Sequence, residues 1–129
     1  MDQSTLFTAT QVAFEVVDEL NAVVLIVAEA PERSETRVEF QRSIELDEED
    51  WALGMATYCV CLANSACHYG GLEQWWISED TLHLRFADGA GRALGVALHS
   101  RIRLSLSPDQ LAVVAHGLTT IVGASAQAR

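Results

Sequence analysis

Residues 101–123 read RIRLSLSPDQLAVVAHGLTTIVG, and the apolar spacing changes within this one stretch. Up to Leu106, Ile102, Leu104 and Leu106 alternate with Arg101, Arg103 and Ser105, which puts the apolar set on one face of a strand. From Ser107 onward Leu111, Val114, Leu118 and Ile121 recur at helical spacing. Ser107 suits the N-cap, Pro108 the first helical position, Gln110 completes a capping box, and Gly123 ends the element. A strand that hands over to an amphipathic helix gives that helix a sheet to lie on. The stretch therefore predicts an α+β fold, an antiparallel β-sheet with a C-terminal α-helix packed on one face.

Upstream segments supply the sheet. Leu72–Ile77 and Thr81–Phe86 read as a hairpin about Glu79 and Asp80, with Leu82, Leu84 and Phe86 facing one way and His83 and Arg85 the other. Ala22–Ala28 (AVVLIVA) is apolar on both faces, as a central strand is, and Asn21 is the turn that joins it to Val12–Val17. Val38, Phe40, Ile44 and Leu46 form the inward face of the next strand. Arg42 interrupts that face and needs a carboxylate, Asp50 or Glu73, or several carbonyls. In Met55–Ala63, Tyr58, Val60 and Leu62 lie opposite Cys59 and Cys61. Asn64–Gly71 reads as a turn whose Gly70 and Gly71 provide positive φ or close backbone approach. Glu29–Thr36 reads as a loop, Asp47–Asp50 as a loop or a short helical turn, and Ala87–Gly95 as no more than a turn or two of helix. No repeat or linker divides the 129 residues, so one domain is expected, with residues 1–10 and 123–129 as loose ends.

Charge narrows the partners. Eighteen acidic side chains oppose eight arginines, for a formal charge of -10. Such a surface repels a phosphate backbone and attracts a basic protein, although charge of this kind also serves plain solubility. Residues 29–50 concentrate it, with nine carboxylates against three arginines. Aromatic anchors beside a charged rim are the anatomy of a protein interface. The expected partner-binding set is therefore Glu45, Asp47, Glu48, Glu49, Asp50 and Trp51, with Trp75 as a further anchor. Trp75 and Trp76 are consecutive in a strand, so one of them leaves the core-facing side. The N-terminus lacks the pattern of an export signal, and the longest apolar run is too short to span a bilayer. Three cysteines, an odd number, fit a reduced cytoplasmic protein, and the charge and the short apolar run leave no nucleic-acid or membrane partner expected.

Cys59, Cys61, Cys67 and His68 are the residue types that bind zinc. Cys59 and Cys61, however, stand two apart on a strand, about 6.6 Å along its axis, and not in a turn that wraps an ion. They are expected as apolar core residues, with no metal and no cofactor. His83, His99 and His116 are scattered singly, and no catalytic or phosphate-binding motif is present, so the chain is not expected to be an enzyme.

Several of these residues also resemble a known family. Phe40-Gln41-Arg42, the acidic step Asp47–Asp50, Gly54-Met55, Tyr58-Cys59-Val60, Tyr69-Gly70-Gly71-Leu72-Glu73, Leu82–Phe86, Ala93-Leu94-Gly95 and the terminal helix resemble the immunity protein 10 family of bacterial toxin systems. The likeness runs from about Val38 to Val122, and its most specific piece is Tyr-Gly-Gly shortly after a Tyr-Cys strand. It implies a cytoplasmic antidote that binds a cognate toxin, a basic one if it attacks nucleic acid. It also implies that Arg42, Asp50, Tyr58, Tyr69, Gly70, Gly71 and Glu73 are positions that define the fold. Two other readings stay open: a small acidic secretion chaperone, or a metal-binding or redox protein built on the Cys and His set.

Overall fold

The structure, a computed structural model, describes residues 5–29, 36–44, 57–63 and 66–123. Its strands are β1 (Thr5–Ala9), β2 (Gln11–Val17), β3 (Ala22–Ala28), β4 (Arg37–Ser43), β5 (Cys59–Leu62), β6 (Cys67–Tyr69), β7 (Leu72–Ser78), β8 (Thr81–Phe86) and β9 (His99–Leu104). The helices α1 (Asp88–Leu94) and α2 (Pro108–Ile121) complete an α+β fold, and a 3-10 turn covers Asp18–Leu20. No helix among the described residues is long and apolar enough to cross a membrane.

The strands form two sheets where the sequence predicts one. β3, apolar on both faces, runs inside a five-stranded antiparallel sheet of order β2-β3-β4-β5-β6. The β7–β8 hairpin turns on Glu79 and Asp80, both at positive φ, as a two-residue turn matched to strand twist requires. β9 pairs with β8 and β1 pairs in parallel with β9, giving a second sheet of order β1-β9-β8-β7. Residues 5–9 are therefore a strand and not a loose end. The chain passes between the sheets at Thr10, whose N–H donates to the Ala28 carbonyl at 3.0 Å, and again at Gly70 and Gly71, at φ 69° and 89°. Residues 67–69, predicted within a turn, pair with β5 as β6.

The inner faces meet in one buried cluster that includes Leu25, Val27, Phe40 and Val60 from the first sheet and Leu82, Leu84 and Ile102 from the second. Burial of such apolar area is the main favourable contribution to folding. Helix α2 adds Val114, Leu118 and Ile121 to the cluster and packs on β2, β3 and β4. Its N-terminus carries the full capping box, with Ser107 and Gln110 each bonded to the other's backbone N–H. Gly117 lets the helix approach closely, since a Cβ there would lie 2.9 Å from a Leu25 methyl and 3.1 Å from the Phe14 ring.

Two side chains, one from each sheet, hold the other end of α2. Arg42 donates from Nη1 to the Ile121 carbonyl at 3.2 Å, so its partner is a helix-terminal carbonyl where a carboxylate such as Glu73 was the alternative. Asp50, the other candidate, lies outside the described residues. The indole N–H of Trp75 donates to the Gly123 carbonyl at 2.8 Å, and the residue is only 3 % exposed. Trp75 is thus a core residue of this chain and not a surface anchor. Of the consecutive tryptophans it is Trp76 that leaves the core face, because neighbours along a strand point to opposite sides and Trp75 takes the inward one.

Tyr58 joins the sheets directly. Its hydroxyl accepts from the Leu72 N–H at 2.8 Å and donates to the Leu72 carbonyl at 3.1 Å, where β7 begins. Tyr58→Phe strips both partners from buried Leu72, and a loss of about 2 kcal/mol in urea unfolding is expected. Burial raises the Tyr58 hydroxyl above its ordinary pKa of about 10, against a smaller opposing effect of the Leu72 backbone. A folded pKa above the unfolded one adds stability that is complete below about pH 10 and is lost as pH rises through the folded value. Wild type should therefore lose more stability above pH 10 than Tyr58→Phe does.

Candidate functional site

One end of the five-stranded sheet gathers exposed apolar side chains. Asn21 adopts φ 52° after the 3-10 turn, which leaves Leu20 74 % exposed beside exposed Asp18 and Glu19. Ser43 pairs with Ala22, and the next N–H, of Ile44, donates to the Asn21 carbonyl at 3.1 Å. Ile44 is predicted inside the core but is 40 % exposed, because β4 stops at Ser43 and its inward face ends with it. Tyr69, at the end of edge strand β6, is 48 % exposed. A cleft at this end is lined by Leu20, Asn21, Gln41, Arg42, Cys59 and Tyr69, and Ile44 is not part of its lining.

The acidic residues Glu45, Asp47, Glu48, Glu49 and Asp50, together with Trp51, lie outside the described residues. The chain departs toward them at Ile44 and returns at Thr57, and both points are at this end of the sheet, Thr57 lining the cleft. The sequence pattern marks the acidic run. It gives no sign of Leu20 and Tyr69, which the fold brings to one cleft from the 3-10 turn and from β6.

The outward face of the four-stranded sheet differs in chemistry. Trp76 stacks on His83 at 4.7 Å with 3° between the planes, and His83 Nδ1 lies 3.0 Å from His99 Nε2, so one ring donates its N–H to the other. The alternation of β8 and β9 puts exposed Arg85 and Arg103 on the same face, together with half-buried Arg101. Glu73 is exposed and lines a shallow depression with Arg85, Asp88 and His99. His83 and His99, predicted as scattered, are thus paired across strands, which their spacing in sequence does not reveal.

The cysteines also depart from expectation. Cys61 and Cys67 face each other across β5 and β6 and are joined as a disulfide, where reduced thiols are predicted. Cys59 is free and half-buried, and its Sγ lies 3.5 Å from that of Cys61. Burial pushes the Cys59 thiol up from its ordinary range, an effect larger than the opposing hydrogen bond from the His68 backbone. His68 is paired opposite Val60 and so belongs to the other face of β6, with Nδ1 3.2 Å from the Gly70 carbonyl.

Among known proteins, the family model described as Immunity protein 10 matches residues 8–112 of the 129-residue chain. The match begins well before Val38, takes in β2 and β3, and ends in the first turns of α2. No curated protein and no solved structure matches.

Proposed function

Because this chain belongs to the immunity protein 10 family, we propose that it is a non-enzymatic antidote that binds a cognate bacterial toxin in the cytoplasm and neutralises it by occlusion. The family match is the observation that carries this reading. The partner is proposed to be basic and to meet the acidic segment Glu45–Trp51. Leu20 and Tyr69 support that placement, since both are exposed and line a cleft beside the points where the segment leaves and rejoins the sheet. Asp18 and Glu19 add negative charge to the same end. An apolar centre with a charged surround excludes water from the contact while the charges steer encounter. In the reducing cytoplasm the Cys61–Cys67 pair is held as thiols.

The test is to produce the chain together with the toxin domain encoded beside it. The expected results are a stable one-to-one complex and full protection of cells. A toxin that stays active in the presence of excess chain would refute the proposal. A complex formed only with an unfolded or truncated cargo would favour a secretion chaperone instead.

A further inference from the structure

The three cysteines lie on one face of the β5–β6 edge. Cys59 and Cys61 are alternate residues of β5, and Cys67 stands opposite Cys61 at a Cα separation of 4.1 Å. Although a strand places Cys59 and Cys61 about 6.6 Å apart along its axis, their side chains lean together, and all three sulfurs lie within 4.8 Å of one another. Three sulfurs about 2.3 Å from one ion in a trigonal plane are about 4 Å apart, so the bonded Cys61 and Cys67 sulfurs must move apart after reduction, while those of Cys59 and Cys61, now 3.5 Å apart, need little change. Cys67 is exposed and the other two are half-buried, so solvent reaches the sulfurs.

Among the described residues, the neighbours leave the donor set at three. Glu39, opposite Cys61 on β4, has its carboxylate in an ion pair with Arg37 at 2.7 Å and accepts from Gln41 at 3.3 Å. His68 belongs to the opposite face of β6. Structural zinc takes four ligands and zinc with three protein ligands adds a water, and magnesium and calcium take oxygen, whereas a soft monovalent ion is satisfied by three thiolates alone. We infer that Cys59, Cys61 and Cys67, once reduced, form a three-coordinate thiolate site for Cu(I).

Where the Cys61–Cys67 bond of the structure has formed, loading begins with its reduction by a dithiol. The dithiol gives up two electrons and two protons, becomes a disulfide, and leaves two thiols on the chain. Cu(I) then binds without change of oxidation state, and the thiol protons pass to solvent as copper–sulfur bonds form. The proposal does not rest on the toxin-binding reading and its test does not involve a toxin, although Cys59 also lines the cleft beside Leu20 and Tyr69.

The experiment uses the full chain, reduced with a phosphine and kept anaerobic, titrated with Cu(I) held by a chromogenic chelator. One equivalent should transfer to the protein, with a sulfur-to-copper charge-transfer band and only sulfur neighbours in X-ray absorption. Cys59→Ser and Cys67→Ser should each weaken binding on the order of 100-fold, the upper end of what even indirect ligand partners contribute. Far-UV circular dichroism of each variant should match wild type. Ser105→Ala, at an exposed position just after β9 in the other sheet, is the folded control and should bind as wild type does. Equal Cu(I) affinity in wild type and Cys59→Ser, nitrogen or oxygen neighbours in the bound state, or displacement of Cu(I) by equimolar Zn(II) would each overturn the inference.

Discussion

Gly71→Ala is expected to destabilise the protein by about 3 kcal/mol, enough to remove a large part of the stability of a domain this size. Two independent costs combine. Gly71 sits at φ 89°, a conformation that an L-residue with a Cβ rarely adopts. The new Cβ would also overlap the Cβ of Ala90, in α1, and come within 3.1 Å of the His68 ring. The backbone there has little freedom to yield, because the Gly71 carbonyl accepts from the Ala87 N–H at 2.8 Å just before α1. Urea unfolding measures the loss. Ala90→Gly in the same chain should recover the steric part, leaving about 1 kcal/mol of backbone cost at residue 71 and about 1 kcal/mol from the new glycine in α1. A single variant within about 0.5 kcal/mol of wild type would show that the crossing relaxes freely, as would a double variant no better than the single one.

Replacing Glu48 and Glu49 together by Lys should slow association with the toxin about tenfold at low salt. Each replacement changes the charge by two units within the densest acidic run of a chain whose formal charge is -10. Steering acts before contact, so the association rate should bear most of the change and the dissociation rate little of it. The difference should shrink as salt rises and the Debye length falls to about 3 Å at 1 M. Arg85→Glu with Arg103→Glu, on the outward face of the other sheet, is the control and should leave association unchanged or faster. Stopped-flow or surface binding at two salt concentrations distinguishes the outcomes. If the Lys variant binds at the wild-type rate in low salt while the Arg variant slows, the toxin meets the Trp76 face and the acidic segment serves solubility.

Patterns confined to a few consecutive residues were legible in the sequence. The capping box of α2, the Glu79-Asp80 turn, the inward set Leu82, Leu84 and Phe86, and the apolar run of β3 all follow from local spacing and backbone preference. The acidic run and the family likeness were equally visible, because composition and short motifs need no partner elsewhere in the chain. Pairing between distant segments could not be read in this way. β1 is five residues long and pairs with β9, far along the chain and parallel to it. The division of the strands into two sheets buries Trp75, turns Trp76 outward and sets Arg42 under the end of α2. The Trp76–His83–His99 cluster, the cleft that Leu20 shares with Tyr69, and the convergence of three sulfurs depend likewise on register across strands. The sequence by itself determined which segments become strand or helix, in the main, since that choice rests on neighbours along the chain. Only the tertiary structure decided which side chains meet, since those contacts form when remote segments bury their apolar faces together.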